Sequence, residues 1–289
     1  MRRLAVLLSA AALLAGCGGA DEPGRELVPG TRIRIGIVAG DAAVARGARI
    51  ATNRIDNAGG IGGALTIDLV RGPAEHLLAS GVRLLVLPCR EGLVRAARLV
   101  EAREALAVAP CDDGVLDPSL RRVFATGLSP RAQAEALEAH VGDEPVRLLA
   151  AESPRGRRVR ALLRLREGGT APVSPEAPEA PTPPPGTPEG TIFATYGFPT
   201  PGNRVDEFAE RFKAVFGVRP ASILPALGGD AVEAAQSTEP LHVGEALREG
   251  LEVRGALGQI VFQGGTTRPV VEATVLRVGG GRLRPVPGG

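Results

Sequence analysis

Apolar residues in the first half of the chain follow two patterns that alternate along the sequence. Four short segments are mostly apolar, as is typical of strands buried in a parallel sheet: 32–38, 65–70, 84–87 and 106–109. Three segments between them repeat apolar side chains every three or four residues, which predicts helices: 43–57, 74–80 and 92–103. Because strands and helices alternate, residues 31–110 are predicted to form a parallel, doubly wound sheet, and the fold class is α/β.

The second half of the chain alternates less regularly but supports the same fold class. Its predicted helices are 131–140, 155–166, 205–216, 229–236 and 241–249. Its predicted strands are 145–151, 191–196, 259–262 and 270–278. The helix over 155–166 is strongly basic, and its arginines form either a solvated face or an anion site.

A proline-rich segment, residues 172–188, interrupts this second half. It contains eight prolines in seventeen positions. Proline fixes φ and has no N–H to donate, so we predict neither a helix nor a central strand in this segment. An extended, polyproline-like or disordered connector is expected instead.

The N-terminus has the pattern of an export signal. Two arginines precede twelve uncharged, mostly apolar residues, Leu4 to Ala15, whereas a bilayer span needs about 20. The following Leu14-Ala15-Gly16-Cys17 is similar to a bacterial lipobox, and this resemblance implies cleavage before Cys17 and lipidation of its thiol. Residues 1–16 would then be a signal peptide and 17–30 a lipidated tether. An ordinary signal peptide with an incidental cysteine is the alternative.

Composition excludes several classes of function. The chain has 34 Lys+Arg against 32 Asp+Glu and only 3% aromatic residues, so no nucleic-acid partner is expected. The three histidines, His76, His140 and His242, are far apart, so we expect no metal and no cofactor. No nucleophile, base and acid occur in a catalytic pattern, and the chain is therefore not expected to be an enzyme.

Two cysteines occur in nearly duplicate contexts. Cys89 and Cys111 each follow a short apolar run and a proline, and the predicted helix 92–103 lies between them. If the two runs are neighbouring parallel strands, both cysteines lie at the same edge, about 5 Å apart. That separation suits a disulfide, and two free buried thiols are the alternative.

Residues 47–63, G-A-R-I-A-T-N-R-I-D-N-A-G-G-I-G-G, resemble a known family. They are similar to the segment G-A-x-x-A-x-x-x-I-N-x-A-G-G-I-x-G of type I periplasmic binding proteins, in the leucine/isoleucine/valine-binding branch. Weaker similarities follow in the family's order at 84–89, 107–118, 123–133, 205–220, 229–232 and 257–262. Together the resemblance covers about 31–155 and 189–280.

This resemblance implies two α/β lobes with a ligand held between them. Lobe 1 would comprise 31–139 plus 222–255, and lobe 2 would comprise 140–221 plus 256–289. The proline-rich segment stands where the family has further strands and helices, so the second lobe is expected to be truncated.

Ligand contacts are expected at the carboxyl ends of strands, where open α/β sheets bind ligands. The resulting candidates are Asp41, Arg90, Glu91, Asp112, Asp113 and Arg155. Arg155 aligns with a tyrosine of the family, so an aromatic contact is lost there. For Arg90, Glu91 and the Asp112–Asp113 turn, capping of helices and turns is an equally open alternative.

The implied function is an extracytoplasmic solute-binding lipoprotein that delivers a small amino-acid-like or amide ligand to an ABC permease. It would be held at the outer face of the cell membrane by lipid alone. The alternative is a degenerate relative that acts as a sensor or scaffold lipoprotein without transport.

Overall fold

The computed structural model describes residues 32–286 except 39, 62, 64, 90, 112–113 and 237–247. The predicted signal peptide, the lipidation site Cys17, the tether and most of the predicted helix 241–249 lie outside the described residues. Within this part of the chain, no helix is long and apolar enough to cross a bilayer.

The elements alternate between strand and helix through most of the chain. The first half contains β1 (Arg32–Val38), α1 (Ala42–Asn57), β2 (Thr66–Gly72), α2 (Ala74–Ala79), β3 (Leu84–Val86), α3 (Leu93–Ala102), β4 (Leu106–Ala109), β5 (Val123–Ala125) and α4 (Pro130–Val141). The second half contains β6 (Val146–Leu148), α5 (Pro154–Leu162), β7 (Ala171–Val173), β8 (Ile192–Thr195), α6 (Arg204–Phe216), α7 (Leu224–Gln236), β9 (Gly250–Arg254), β10 (Gln259–Gln263), β11 (Pro269–Val271), β12 (Thr274–Gly279) and β13 (Arg282–Pro285).

The first sheet is fully parallel, with strand order β2-β1-β3-β4-β5. Strand order reverses beside β1, which is the topology of a doubly wound sheet. The α/β prediction for residues 31–110 is confirmed. Strand β5 was not predicted, because three buried residues give too short a pattern to distinguish from a loop.

Helices cover both faces of this sheet. Leu85 and Ala107 face α2 and α3, whereas Val86 and Val108 face α1 and α7. Alternate residues of a strand point to opposite faces, so strands buried on both faces read as continuous apolar runs in the sequence. Helices α1 and α7 pack so closely that a Cβ at Gly47 would overlap the carbonyl oxygen of Pro225.

The second sheet is mixed, with order β13-β12-β8-β7-β6. Strands β6, β7 and β8 are parallel, and β12 and β13 are added antiparallel. Helix α4 packs against this sheet through Ala134 and Leu137. The arginines Arg157, Arg158 and Arg160 of α5 are exposed, which favours a solvated basic face.

A small antiparallel sheet, β11-β10-β9, closes the edge of the first sheet. Phe262 of β10 meets Phe124 of β5 edge to face, with ring centroids 6.0 Å apart. The Ala125 N–H donates to the Thr267 carbonyl at 3.0 Å. This sheet therefore joins the first core, although residues from 256 onward were predicted to belong to lobe 2.

One prediction about the proline-rich segment is wrong. Pro172 lies in β7, a strand inside the second sheet, where it pairs with Arg147 of β6. Pairing with β8 begins only at Val173, and Ser174 donates the next bond to Ile192. The missing N–H of Pro172 therefore falls ahead of the β8 ladder, where proline is tolerated. The remaining residues, 174–188, form neither helix nor strand, as predicted.

Candidate ligand-binding cleft

A disulfide ties together two strand ends of the first sheet. Cys89 follows β3 and Cys111 follows β4, and their Cα atoms are 5.0 Å apart. Neighbouring parallel strands bring their carboxyl ends to one edge, as the duplicate sequence contexts predict. Since Cys89 is only 1% exposed, the bond is part of the packed wall at this edge.

A large cavity opens between this edge and the second sheet. We call it the outer cavity; its volume is about 940 Å³. From the first sheet it is lined by Cys89, Glu91 and Val115. From the second it is lined by 152–155 and by 176–180 and 182–185 of the proline-rich segment. The strand ends of both sheets thus face one cleft.

A smaller, mostly apolar pocket adjoins the outer cavity. We call it the inner pocket; its volume is about 70 Å³, and it shares Arg155, Ala177, Pro178 and Glu179 with the outer cavity. Its walls come from the first sheet's loops, from β8 and from α7: Pro110, Cys111, Gly127, Leu128, Thr195, Tyr196, Ile223, Leu224 and Leu227, together with Ala177 and Pro178. Apolar walls with a few polar groups are typical of sites for small molecules.

Arg155 is held across the cleft by residues near α4. Its Nε donates to Gln133 Oε1 at 2.9 Å, and its Nη2 donates to the Leu128 carbonyl at 2.6 Å. Gln133 is fully buried and its Nε2 donates to the Pro175 carbonyl at 3.0 Å. The guanidinium is therefore oriented by this chain before any ligand arrives.

Glu176 occupies the N-terminus of α5. Its carboxylate accepts hydrogen bonds from the Glu152 N–H at 2.8 Å, from the Ser153 N–H at 2.9 Å and from the Ser153 hydroxyl. Free N–H groups at a helix start attract anions, and here the chain supplies the anion itself. The hydroxyl of Ser153 in turn accepts from the Gly156 N–H, which caps the helix.

The proline-rich segment is fastened to both sides of the cleft. Thr195 Oγ1 of β8 donates to the Pro178 carbonyl at 3.3 Å. The Ile223 N–H, at the start of α7, donates to the Glu179 carbonyl at 2.8 Å. Although this segment forms no helix, it is a fixed wall of the cleft.

Tyr196 is the only tyrosine of the chain and lines the inner pocket. It is 3% exposed, and its hydroxyl finds no hydrogen-bond partner in the part of the chain that the structure describes. Burial, with a smaller effect of the Asp230 carboxylate, raises the pKa of this phenol well above its ordinary value. The phenol therefore stays protonated at neutral pH.

Asp230 links α7 to the turn between β9 and β10. Its fully buried carboxylate accepts from the Ala256 N–H and, at 3.2 Å, from the Leu257 N–H. Burial raises the pKa of Asp230 to about 7, against the lowering effect of these two hydrogen bonds. Nearby Glu233 adds to the rise and Arg204 opposes it.

The predicted site residues separate into three groups. Glu91 and Arg155 line the cleft. Asp41 caps α1 instead, with Oδ1 accepting from the Ala43 N–H at 2.8 Å, and it lines neither cavity. Three candidates lie outside the described residues: Arg90, Asp112 and Asp113.

Sequence reasoning missed Glu176, Glu179 and Tyr196. Both glutamates belong to a segment that was expected to be a connector, and no local signal separates a connector from a cleft wall. Tyr196 could have been found, because it is the last residue of the predicted strand 191–196 and so stands at a carboxyl strand end.

Comparison with known proteins shows similarity in structure alone. No family model matches the chain, and no curated protein matches it in sequence. Among solved structures, it is similar to an ABC transporter substrate-binding protein from Desulfitobacterium hafniense in complex with Leu, at a TM-score of 0.64 and 16% identity, covering 89% of this chain and 100% of that one.

Two further structures illustrate the same fold. A periplasmic binding protein type 1 from Bordetella pertussis Tohama I aligns at a TM-score of 0.61 and 14% identity, covering 89% of this chain and 100% of that chain. The chain also aligns with a solute binding protein of an ABC transporter from Rhodopseudomonas palustris BisB5 in complex with 3,4-dihydroxy benzoic acid. The TM-score is 0.66 at 13% identity, and the alignment covers 88% of this chain and 96% of that chain.

The chain therefore has the two-sheet α/β fold of type I periplasmic binding proteins, and that prediction is confirmed. The structures with this fold include the substrate-binding proteins of ABC transporters named above.

Proposed function

We propose that this chain is an extracytoplasmic solute-binding protein that delivers a small amino-acid-like or amide solute to an ABC permease. The observation that carries the proposal is the cleft itself, in which an outer cavity and an inner pocket lie where the strand ends of two sheets meet. Similarly folded proteins bind leucine and 3,4-dihydroxy benzoic acid, which supports a small organic ligand here.

The proposal includes lipid anchoring through Cys17. Its support is the sequence Leu14-Ala15-Gly16-Cys17 behind a short apolar run. Metabolic labelling with a fatty-acid analogue tests it, with Cys17→Ser as the matched variant. Label on the wild-type chain that is lost in Cys17→Ser is expected, and label that persists in the variant would contradict the anchor.

Binding is tested by isothermal titration calorimetry with the full chain purified in detergent, against amino acids, amides, amines and aromatic acids. Ala177→Trp places a large side chain at the wall shared by both cavities and is expected to abolish the heat of ligand binding. Ala102→Trp, on an exposed site of α3, is the control and is expected to bind normally. A folded wild-type protein that binds no member of the panel would contradict the proposal.

A second candidate is a sensor or scaffold lipoprotein without transport. It is favoured by one observation: residues 174–191 connect β7 and β8 without a helix, and part of this connection lines the cleft. Affinity purification from the native membrane separates the candidates. Recovery with a permease supports transport, whereas recovery with a signalling or structural partner alone supports the second candidate.

A further inference from the structure

Residues 153–166, which include α5, contain six arginines and neither aspartate nor glutamate. Five of the six are exposed: Arg157, Arg158, Arg160, Arg164 and Arg166. Within the part of the chain that the structure describes, none of these five forms an ion pair with a carboxylate. Glu138 accepts a hydrogen bond from the backbone N–H of Arg164, not from its guanidinium. The segment therefore presents positive charge that no described carboxylate pairs with.

Four of these arginines point away from the protein core. Val159 is fully buried, and Leu163 and Leu165 are partly buried against the same core cluster of the second sheet and α4. Because a helix turns about 100° per residue, the outward side of α5 carries the residues two before and one after Val159. After α5 burial alternates, so the residues that follow each leucine are exposed. We call these four outward residues the arginine face: Arg157, Arg160, Arg164 and Arg166.

The arginine face keeps most of its hydrogen-bond donors for a ligand. Arg157 Nη1 donates to the Glu152 carbonyl, and Arg160 Nη1 donates to the Leu149 carbonyl at 3.0 Å. A guanidinium has five N–H donors, and its planar fork matches the oxygens of a phosphate. The backbone thus positions two of the guanidinium groups, while their remaining donors stay available to an anion.

An exposed leucine adjoins the arginine face. Leu162 is 39% exposed and is the last residue of α5, between Arg160 and Arg164 in the sequence. Arginines beside an exposed apolar side chain are typical of segments that lie at a membrane interface, where cations bind headgroups and apolar groups reach the acyl boundary. A protein partner that offered only carboxylates would leave Leu162 in water. The combination favours a lipid surface over an acidic protein.

The proposed lipid anchor brings a bilayer within reach of this face. Residues 17–31 separate Cys17 from the first residue of β1, and fifteen residues span at most about 50 Å. A tether of that length keeps the chain near the membrane but does not select which face meets it. Anionic lipid attracts clustered arginines, each worth roughly fivefold in partitioning near the surface. The arginine face can supply the missing selection.

From these observations we infer that the arginine face lies against the anionic phospholipid headgroups of the membrane that anchors the chain. The inference rests on the proposed anchored solute-binding function and adds an orientation to it. The guanidinium groups bind lipid phosphates, and Leu162 meets the apolar boundary below them. None of the four arginines lines the outer cavity or the inner pocket, so headgroup contact and solute binding use different residues.

Arginine labelling of the full chain, reconstituted in vesicles, tests this contact. Phenylglyoxal modifies accessible guanidinium groups, and mass spectrometry reads each arginine separately. In vesicles of equal parts phosphatidylcholine and phosphatidylglycerol, the arginine face is expected to react about fivefold or more slowly than in phosphatidylcholine alone. Arg49, exposed on α1, is the internal control and is expected to react equally in both. Equal rates for the arginine face, or equal slowing of Arg49, would overturn the inference.

Salt separates headgroup binding from insertion driven by Leu162 alone. At about 1 M salt the screening length falls to roughly 3 Å, so the slower labelling is expected to disappear. Labelling that stays slow at that salt concentration would contradict the electrostatic contact with phosphates.

A double variant tests whether the four arginines act together. Arg157→Gln/Arg160→Gln removes two of them, and Arg164 and Arg166 are then expected to react at similar rates in both kinds of vesicle. Arg98→Gln/Arg103→Gln removes the same charge from exposed positions on and just after α3, and is expected to keep the slower labelling. Circular dichroism confirms that both variants are folded. The same loss in both would assign the effect to net charge and overturn the inference.

Solute binding is measured separately on the Arg157→Gln/Arg160→Gln variant. Calorimetry in detergent is expected to give the wild-type affinity, since neither position lines the cleft. Solute binding by a wild-type chain whose labelling ignores the lipid charge would overturn this inference and leave the proposed function intact. Slower labelling on anionic vesicles by a chain that binds no solute would support the contact and contradict the solute-binding function.

Discussion

Glu176 reaches the start of α5 only because residue 156 is glycine. A Cβ at Gly156 would overlap the Glu176 carboxylate, which accepts from two N–H groups and one hydroxyl at the helix start. A residue of the proline-rich segment and a residue of a helix twenty positions earlier thus share one space. This contact fixes the segment along the cleft.

Gly156→Ala is expected to destabilise the protein by about 1–3 kcal/mol, since it displaces a hydrogen-bonded carboxylate. Glycine to alanine inside a helix would otherwise gain roughly 0.5–1 kcal/mol. Urea unfolding of Gly156→Ala, Glu176→Ala and the double variant measures the coupling. In the Glu176→Ala background, Gly156→Ala is expected not to lower the free energy of unfolding further. If the double variant loses the sum of the two single losses, the two residues do not share one space.

Asp230 makes stability depend on pH. Its pKa is about 7 in the folded chain and 3.8 ordinarily, so the unfolded chain loses its proton first as pH rises. The free energy of unfolding therefore falls between these two values, by about 1.4 kcal/mol for each unit of difference at most. Unfolding curves at a series of pH values measure this slope.

Asp230→Asn is expected to flatten that slope, because the amide has no proton to lose over this range. Asp143→Asn changes an exposed carboxyl on the loop before β6 and serves as the control. An identical decline in wild type and Asp230→Asn would assign the pH dependence to another group.

Reducing the Cys89–Cys111 disulfide is expected to lower the free energy of unfolding by about 3 kcal/mol in the chain-entropy model. Denaturation of wild type with and without reductant measures the loss. The Cys89→Ser/Cys111→Ser variant is the control, since reductant should not change its unfolding. Equal stability of wild type in both conditions would show that the bond contributes nothing to the fold.

Gly47→Ala is expected to lower the free energy of unfolding by more than about 2 kcal/mol, because the added Cβ would overlap the Pro225 carbonyl. Gly72→Ala offers a comparison, since its Cβ would meet Leu77 at an ordinary 3.8 Å. Thermal unfolding compares the two. A Gly47→Ala protein as stable as Gly72→Ala would contradict the close packing of α1 on α7.

Periodicity predicted the first sheet because each of its longer elements has a strong local pattern. The pair Cys89 and Cys111 was predictable for the same reason, since neighbouring parallel strands place their ends together. The Glu176 contact with α5 was not predictable, because it joins a segment without periodicity to a helix through a single glycine. Pro172 lies in β7 although proline is normally excluded from strands inside a sheet. It is tolerated because pairing with β8 begins only at the next residue, so the missing N–H breaks no hydrogen bond to β8.

The pairing of α1 with α7 bears on the order in which the chain folds. The helix that covers the first sheet beside α1 is encoded after the entire run from β6 to α6. During synthesis, the face of the first sheet that carries α1 is therefore incompletely covered. Gly47 and its apolar neighbours stay exposed until residues 224–236 emerge from the ribosome. The proposed export of the chain in an extended state would let the two helices pack together only after it has crossed the membrane.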